Sequence, residues 1–249
     1  MDSLDFQAIA HAGLAFMNPL SEEDVDEMIE ALDLEPGAHV FDVGCGKAEL
    51  LMRIVERYPD VHATGLDRSP LVLAEARRQA EERVPESRVV LVEQDVREYA
   101  PEPGFFDVVV STGGVSFRGG VGGTLAVLSG FVAPGGQLLF GEGYWREEPE
   151  LEYLVALGAA REELKDYEGT IEAAEEAGLA LKRAVATSVE DWDSYEDVWA
   201  RNGERYAEAH YGEDGVDELR EWIANGRRRY RELGGRETLG FGLFLFERR

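Results

Sequence analysis

Val40-Phe41-Asp42-Val43-Gly44-Cys45-Gly46-Lys47-Ala48-Glu49 carries the chain from an apolar run through an acidic residue into Gly-x-Gly and on into a helical segment. Glycines at the carboxyl end of a strand let the backbone turn tightly and let a ligand approach with no side chain between. Open α/β sheets bind ligands at that edge, where the strand order reverses. The next β-rich run ends in Leu66-Asp67, about 21 residues after Gly46, a spacing at which a carboxylate can accept hydrogen bonds from both hydroxyls of a ribose. A third run leads into Gln94-Asp95-Val96, which sets another acidic residue at the same edge.

The pattern outward from this segment alternates strand and helix. Strands are expected over 39–43, 61–66, 88–93, 105–111 and 137–141, with helices over 49–58, 70–83 and 121–132 between them. Ser69-Pro70 starts one of these helices, since proline is tolerated in a first helical turn. The Val-Val-Val and Leu-Leu-Phe runs are apolar throughout, as expected of parallel strands covered on both faces. Helical segments over 150–157 and 161–177 follow, then strands over 179–188 and 238–246, with two helices expected in the fifty or so residues between. Upstream, residues 1–20 are mixed and end in the Asn18-Pro19 turn. Ser21 then caps a helix that buries Val25, Met28, Ile29 and Leu32 and stops at Pro36-Gly37. The expected fold is α/β: a doubly wound, mostly parallel, seven-stranded Rossmann-like sheet with a helical insertion before the last strand. One domain would divide into an N-terminal helical segment (1–36), a ligand-binding core (37–188), the insertion (189–237) and the last strand (238–249).

The ordered set Asp42, Gly44, Gly46, Asp67 and Asp95, each at the end of a successive strand, resembles the class I S-adenosylmethionine-dependent methyltransferases. It looks closest to bacterial small-molecule members whose first motif reads D-[IV]-G-C-G-K. The resemblance covers about residues 31–144, and the rest in outline. It implies S-adenosylmethionine as cofactor, with Gly44, Cys45 and Gly46 against its amino-acid part and Asp67 on the ribose. It further implies Arg68 along the adenine, Asp95 at the adenine amino group, Val96 donating a backbone N–H, and Ser111 with Thr112 below the reactive methyl. Asp42 is either a ligand contact or a carboxylate that caps the loop. Many members carry a third glycine where this chain has Ala48, a change expected to reduce clearance without abolishing binding. A nicotinamide-binding G-x-G-x-x-G would place glycine at position 49. Glu49 there competes with a pyrophosphate for the helix N-terminus, which disfavours a dehydrogenase. A cofactor-binding protein without turnover remains as the other alternative.

The resemblance implies transfer of a sulfonium methyl to a small-molecule acceptor by in-line displacement, with the enzyme mainly aligning donor and acceptor. Residues 112–123 hold six glycines and read as a mobile loop beside the methyl group, or as a flexible crossover. Trp192, Tyr195, Trp199 and Tyr206 fall at helical spacing on one face, either as core or as an aromatic lid over the acceptor. Tyr144, Trp145, Trp192 and Trp199 are therefore candidate acceptor contacts. His11, Glu142 and Tyr144 are candidate general bases, none with a partner visible in sequence, and no catalytic residue is assigned. Arg227-Arg228-Arg229-Tyr230-Arg231 reads as a solvated helix face.

Composition narrows the partners. The 249 residues carry 51 acidic against 25 Lys and Arg side chains, a net charge of −26 that repels nucleic acid and anionic membranes. No stretch approaches the ~20 apolar residues that span a bilayer, and the N-terminus lacks the basic start of a signal peptide. A single cysteine, Cys45, excludes an internal disulfide and suits a reducing compartment, so a cytoplasmic location is expected. Four scattered histidines and one cysteine give no metal-ligand spacing.

Overall fold

The apolar runs pair as parallel neighbours. The structure, a computed structural model, describes residues 1–85, 88–99 and 101–249. Strands β1 (His39–Val43), β2 (His62–Asp67), β3 (Val89–Glu93), β4 (Phe106–Thr112) and β5 (Val132–Trp145) lie parallel. With β6 (Leu179–Ala186) and β7 (Leu239–Arg248) they form a seven-stranded sheet in the order β3-β2-β1-β4-β5-β7-β6. Strand β7 runs antiparallel to both its neighbours. The order reverses between β1 and β4, which opens a crevice at their carboxyl ends.

Successive side chains point to opposite faces, so each central strand feeds two cores. On one face α2 (Glu22–Glu30), α3 (Glu49–Arg57) and α4 (Pro70–Arg83) bury Met28, Leu51, Ile54 and Leu73 against Val40, Val108 and Leu139. On the other, α5 (Gly120–Phe131) and α7 (Tyr167–Glu176) bury Leu125, Leu128 and Ala174 against Phe41, Val109 and Phe140. Each such side chain contributes about 1.5–3 kcal/mol when fully buried. Among the described residues no helix is long and apolar enough to cross a membrane.

Four features differ from the sequence reading. The mixed N-terminal stretch contains a helix, α1 (Ser3–Ala10): Asp2 accepts hydrogen bonds from the N–H groups of Leu4 and Asp5, and Asp5 answers by accepting from Asp2. The helix expected over 161–177 is broken into a 3-10 turn (Arg161–Glu163) and α7, because the Asp166 carboxylate accepts from Gly169 N–H at 2.7 Å and starts a new helix. Strand β5 extends well past Gly141 because β7 pairs with it antiparallel as far as Trp145↔Leu239. The insertion holds the two expected helices, α8 (Val189–Ala209) and α9 (Val216–Arg231), plus the single turn α10 (Gly235–Thr238). Helices α1, α8 and α9 share a third core of Phe6, Trp199, Leu219 and Ile223. Gly226 makes this possible, since a Cβ there would sit 2.6 Å from the Trp199 ring.

Candidate functional site

The loop after β1 is shaped by its glycines. Gly44 adopts φ +78, and a Cβ on it would lie 2.6 Å from a methyl of Val115. Its N–H and that of Cys45 both donate to Leu66 O, which pins the loop to the end of β2. Gly46 N–H donates to Asp67 Oδ2 at 2.9 Å, and Ser69 N–H to Asp67 Oδ1 at 2.8 Å. Ala48, at the position of the third glycine, takes φ +57, the one positive value outside glycine among the described residues. That conformation costs an alanine roughly 1–2 kcal/mol, and its buried methyl does not line the cavity described next.

A cavity of about 560 Å³ opens over this loop. Its floor is the glycine loop, and its sides are the ends of β2 and β3 and the loop of residues 112–116 after β4. A strap made from the N-terminal residues crosses above, contributing Gln7, Phe16, Met17 and Asn18 among others. Three bonds hold the strap down. The Lys47 ammonium donates to His11 O at 2.5 Å and to Leu14 O at 2.9 Å, and Asn18 Nδ2 donates to Thr112 O at 3.0 Å. From the insertion, Asn202 Nδ2 donates to Ala10 O and Ala12 O, and Tyr195 reaches both His11 and the cavity.

The electrostatics centre on Asp42, which lines the cavity although only 2 % of it is exposed. Its Oδ1 is buried with no hydrogen-bond partner. Burial, reinforced by the neighbouring Asp67 carboxylate, pushes its carboxyl up to about 8. Asp95 is the reverse case: hydrogen bonds from Arg97 hold it well below the usual carboxylate range. Burial also raises the Cys45 thiol, so Cys45 is a small inert residue in a tight loop.

Asp42, Gly44, Cys45, Gly46, Asp67, Arg68, Asp95 and Val96 all line this one cavity. Ser111 does not. It is buried, on the Val109 side of β4, and strand alternation gives the cavity wall to Thr112 instead.

The four candidate acceptor contacts also lie elsewhere. Tyr144 sits over Gly240 of β7 and against Tyr167, and Trp145 donates its Nε1–H to Arg161 O at 2.9 Å; the antiparallel β5–β7 pairing carries both into the core. Trp192 stacks on Tyr230, and Trp199 packs 4.6 Å from Trp222 between ring centres. Helix α8 passes from the sheet core to the α1–α9 core, so of its stripe only the middle ring, Tyr195, meets the cavity. Of the candidate bases, Glu142 is half-buried away from the cavity and raised by desolvation to about 7. His11 is buried within the strap with its pKa lowered to about 4, chiefly by desolvation.

An N-terminal lid carrying His11 is the lesser of two sequence readings, a surface histidine being the default; the anchor Lys47 and the place of Tyr195 were missed. The Asp2-x-x-Asp5 cap ahead of Phe6 and Ala10 was the available signal for the strap.

Residues 40–136 match the family model described as a methyltransferase domain. The chain is 30% identical to the Escherichia coli K12 protein YjhP over 229 residues, which cover 91% of each chain. It superposes with a TM-score of 0.87 on a SAM-dependent methyltransferase from Thiobacillus denitrificans in complex with S-adenosyl-L-homocysteine, 27% identical and covering all of both chains. A SAM-dependent methyltransferase from Geobacter sulfurreducens, also in complex with S-adenosyl-L-homocysteine, gives a TM-score of 0.87 at 28% identity over 98% of each chain. The trans-aconitate 2-methyltransferase of Paracidovorax citrulli is 31% identical over 124 residues, which are 49% of this chain and 45% of that protein.

Proposed function

The chain belongs to the class I S-adenosylmethionine-dependent methyltransferases, and on that premise we propose that it methylates a small molecule admitted to the cavity beneath the N-terminal strap. The observation that carries this reading is the buried, unpartnered Oδ1 of Asp42 in the cavity wall. A buried carboxylate oxygen calls for a cation or a donor, and the ammonium of the cofactor's amino-acid part supplies one. Bound here, S-adenosylmethionine supplies a methyl group made electrophilic by a positive sulfur.

The chain's own residues bind, orient and exclude water. Backbone at Gly44, Cys45 and Gly46 gives the amino-acid part a surface free of side chains. Asp67 spends two of its roughly four lone-pair sites on Gly46 and Ser69, which leaves room for both ribose hydroxyls. Arg68, Asp95 and Val96, which line the same cavity, would hold the adenine, Asp95 as an acceptor for its amino group and Val96 through its N–H. The loop of residues 112–116, the strap and Tyr195 border the space left for the acceptor. The strap covers part of the cavity, and the polar contacts beneath it are strengthened where it excludes water.

Several carboxylates in one cavity oppose a pyrophosphate and favour a cationic cofactor over a dinucleotide. The net charge of −26 likewise argues for a small acceptor over nucleic acid, and the single buried cysteine for a reducing cytoplasm. Calorimetry tests the reading: S-adenosylhomocysteine binds and NAD does not, whereas NAD binding alone refutes it. Turnover is then read as S-adenosylhomocysteine release over an acceptor panel that includes trans-aconitate.

A further inference from the structure

We propose that the methyl acceptor is a small uncharged molecule whose reacting N–H or O–H is held by the Tyr195 hydroxyl, with His11 as the positioning residue behind it. This deepens the methyltransferase reading and rests on it.

Two independent observations support the proposal. The first is how charge is distributed round the cavity. Every charged side chain lining it lies between Asp42 and Arg97, at the ends of β1, β2 and β3 where the cofactor is expected. The strap, the loop of residues 112–116 and Tyr195 contribute only apolar and neutral polar groups among the described residues. Lys47 comes nearest to the strap, and its ammonium is directed to the carbonyls of His11 and Leu14. An acceptor carrying carboxylates would therefore bury them on this side without a cation, which is strongly disfavoured.

The second observation is a hydrogen-bond chain of fixed polarity. His11 Nδ1 lies 2.7 Å from Gln7 O, and a carbonyl can only accept, so Nδ1 carries the proton. In the neutral ring Nε2 is then an acceptor, and the Tyr195 hydroxyl 2.7 Å away must donate to it. Burial keeps the ring neutral, since it lowers His11 to about 4. Tyr195 has one proton, and His11 takes it; the other nearby acceptor, Met17 O, is 3.5 Å away. The phenolic oxygen of this cavity-lining residue keeps its lone pairs and has no proton to offer. It is suited to accept from an N–H or O–H and ill suited to a carboxylate. Such a contact fixes where the acceptor's own lone pair points, the orientation that in-line transfer requires. That pair forms the bond to the methyl carbon, the carbon–sulfur pair leaves on the sulfur, and the acceptor's proton is lost to water. Among the described residues Tyr195 is also the insertion's one contribution to the cavity lining, so it is where the insertion can read the acceptor.

The test uses the full chain, S-adenosylmethionine and matched probes: phenols, alcohols and aromatic amines beside their carboxylated counterparts, with trans-aconitate among the latter. Uncharged members are expected to be methylated with the higher kcat/KM. Tyr195→Phe keeps the ring and should raise KM for the best acceptor three- to tenfold, the usual range for one neutral hydrogen bond, with S-adenosylhomocysteine affinity within about twofold. His11→Leu should raise the same KM, whereas His11→Gln, which restores an acceptor for the Tyr195 hydroxyl, should recover part of it. A purely structural role would lower folded yield and leave KM alone. Preference for carboxylated probes, failure of every uncharged one, or an unchanged KM in folded Tyr195→Phe overturns the inference. Wild-type chain that binds no S-adenosylhomocysteine overturns the cofactor reading beneath it instead.

Discussion

Binding of S-adenosylhomocysteine should release a proton from Asp42. Burial and the Asp67 carboxylate hold the Asp42 carboxyl at about 8, so at pH 7 roughly 0.9 of a proton sits on it in the free chain. An ammonium against Oδ1 favours the ionised form and expels that proton. Affinity should then rise with pH below about 8, by at most a factor of ten per unit, and level off above. Calorimetry at pH 7 in two buffers of different ionisation enthalpy reads the proton directly, as a buffer-dependent apparent heat that Asp42→Asn abolishes. Equal heats in the two buffers, or a buffer dependence that survives Asp42→Asn, would refute the assignment of Asp42 to the ammonium. Folding gives a second reading. A carboxyl raised from about 4 to about 8 binds more protons folded than unfolded, so the ligand-free chain should lose stability as pH climbs through that window. His11, lowered to about 4, acts oppositely, its contribution being lost as pH falls below about 6.5. Glu142 and Glu196, both raised by burial to about 7, act in the same direction as Asp42, so the Asp42 slope stands clear between about 7 and 8, and Asp42→Asn should flatten it there.

Three further outcomes follow from the same geometry. Asp67→Ala should weaken S-adenosylhomocysteine binding by about 1.5–3 kcal/mol, or ten- to hundredfold, with the chain still folded; unchanged affinity in a folded variant removes Asp67 from the site. Lys47→Met removes the donor shared by His11 O and Leu14 O; His11 O keeps the Leu14 N–H, so the cost is about 1–3 kcal/mol for Leu14 O left unpaired. Limited proteolysis should then cut faster within residues 1–20 and bound S-adenosylhomocysteine should leave faster, whereas an unchanged cleavage rate denies Lys47 its anchoring role. Trp192→Leu and Trp199→Leu should each cost about 2–3 kcal/mol of stability, somewhat below truncation to alanine, with turnover per folded molecule unaltered. A changed acceptor KM in either would return that ring to the acceptor site.

The sheet and the gathering of Asp42, the glycine loop, Asp67 and Asp95 round one cavity were legible because both depend on short-range pattern. Apolar runs closed by Gly-x-Gly or by Asp67 specify strand ends, and parallel strands bring those ends to one edge whatever the rest of the chain does. The other side of the cavity was legible only at the glycine-rich residues 112–116, because the strap and Tyr195 that complete it come from distant stretches of the sequence. His11 and Tyr195 lie 184 residues apart, and neither local propensity nor periodicity records their hydrogen bond. The aromatic stripe of α8 shows the limit of periodicity. Spacing put Trp192, Tyr195 and Trp199 on one face, but α8 crosses from one core to another, so three rings on one face meet three surroundings. Ser111 and Thr112 differ for a comparable reason: a motif marks a strand end to within a residue, and one residue is a change of face.

The most direct test is a crystal structure of the chain with S-adenosylhomocysteine. The expected result is the ligand in the cavity beneath the strap, its ammonium within hydrogen-bond reach of Asp42 Oδ1, both ribose hydroxyls on Asp67 and the adenine between Arg68 and Asp95. A ligand bound elsewhere, or one in the cavity that leaves Asp42 Oδ1 unpartnered and Asp67 off the ribose, would contradict the account.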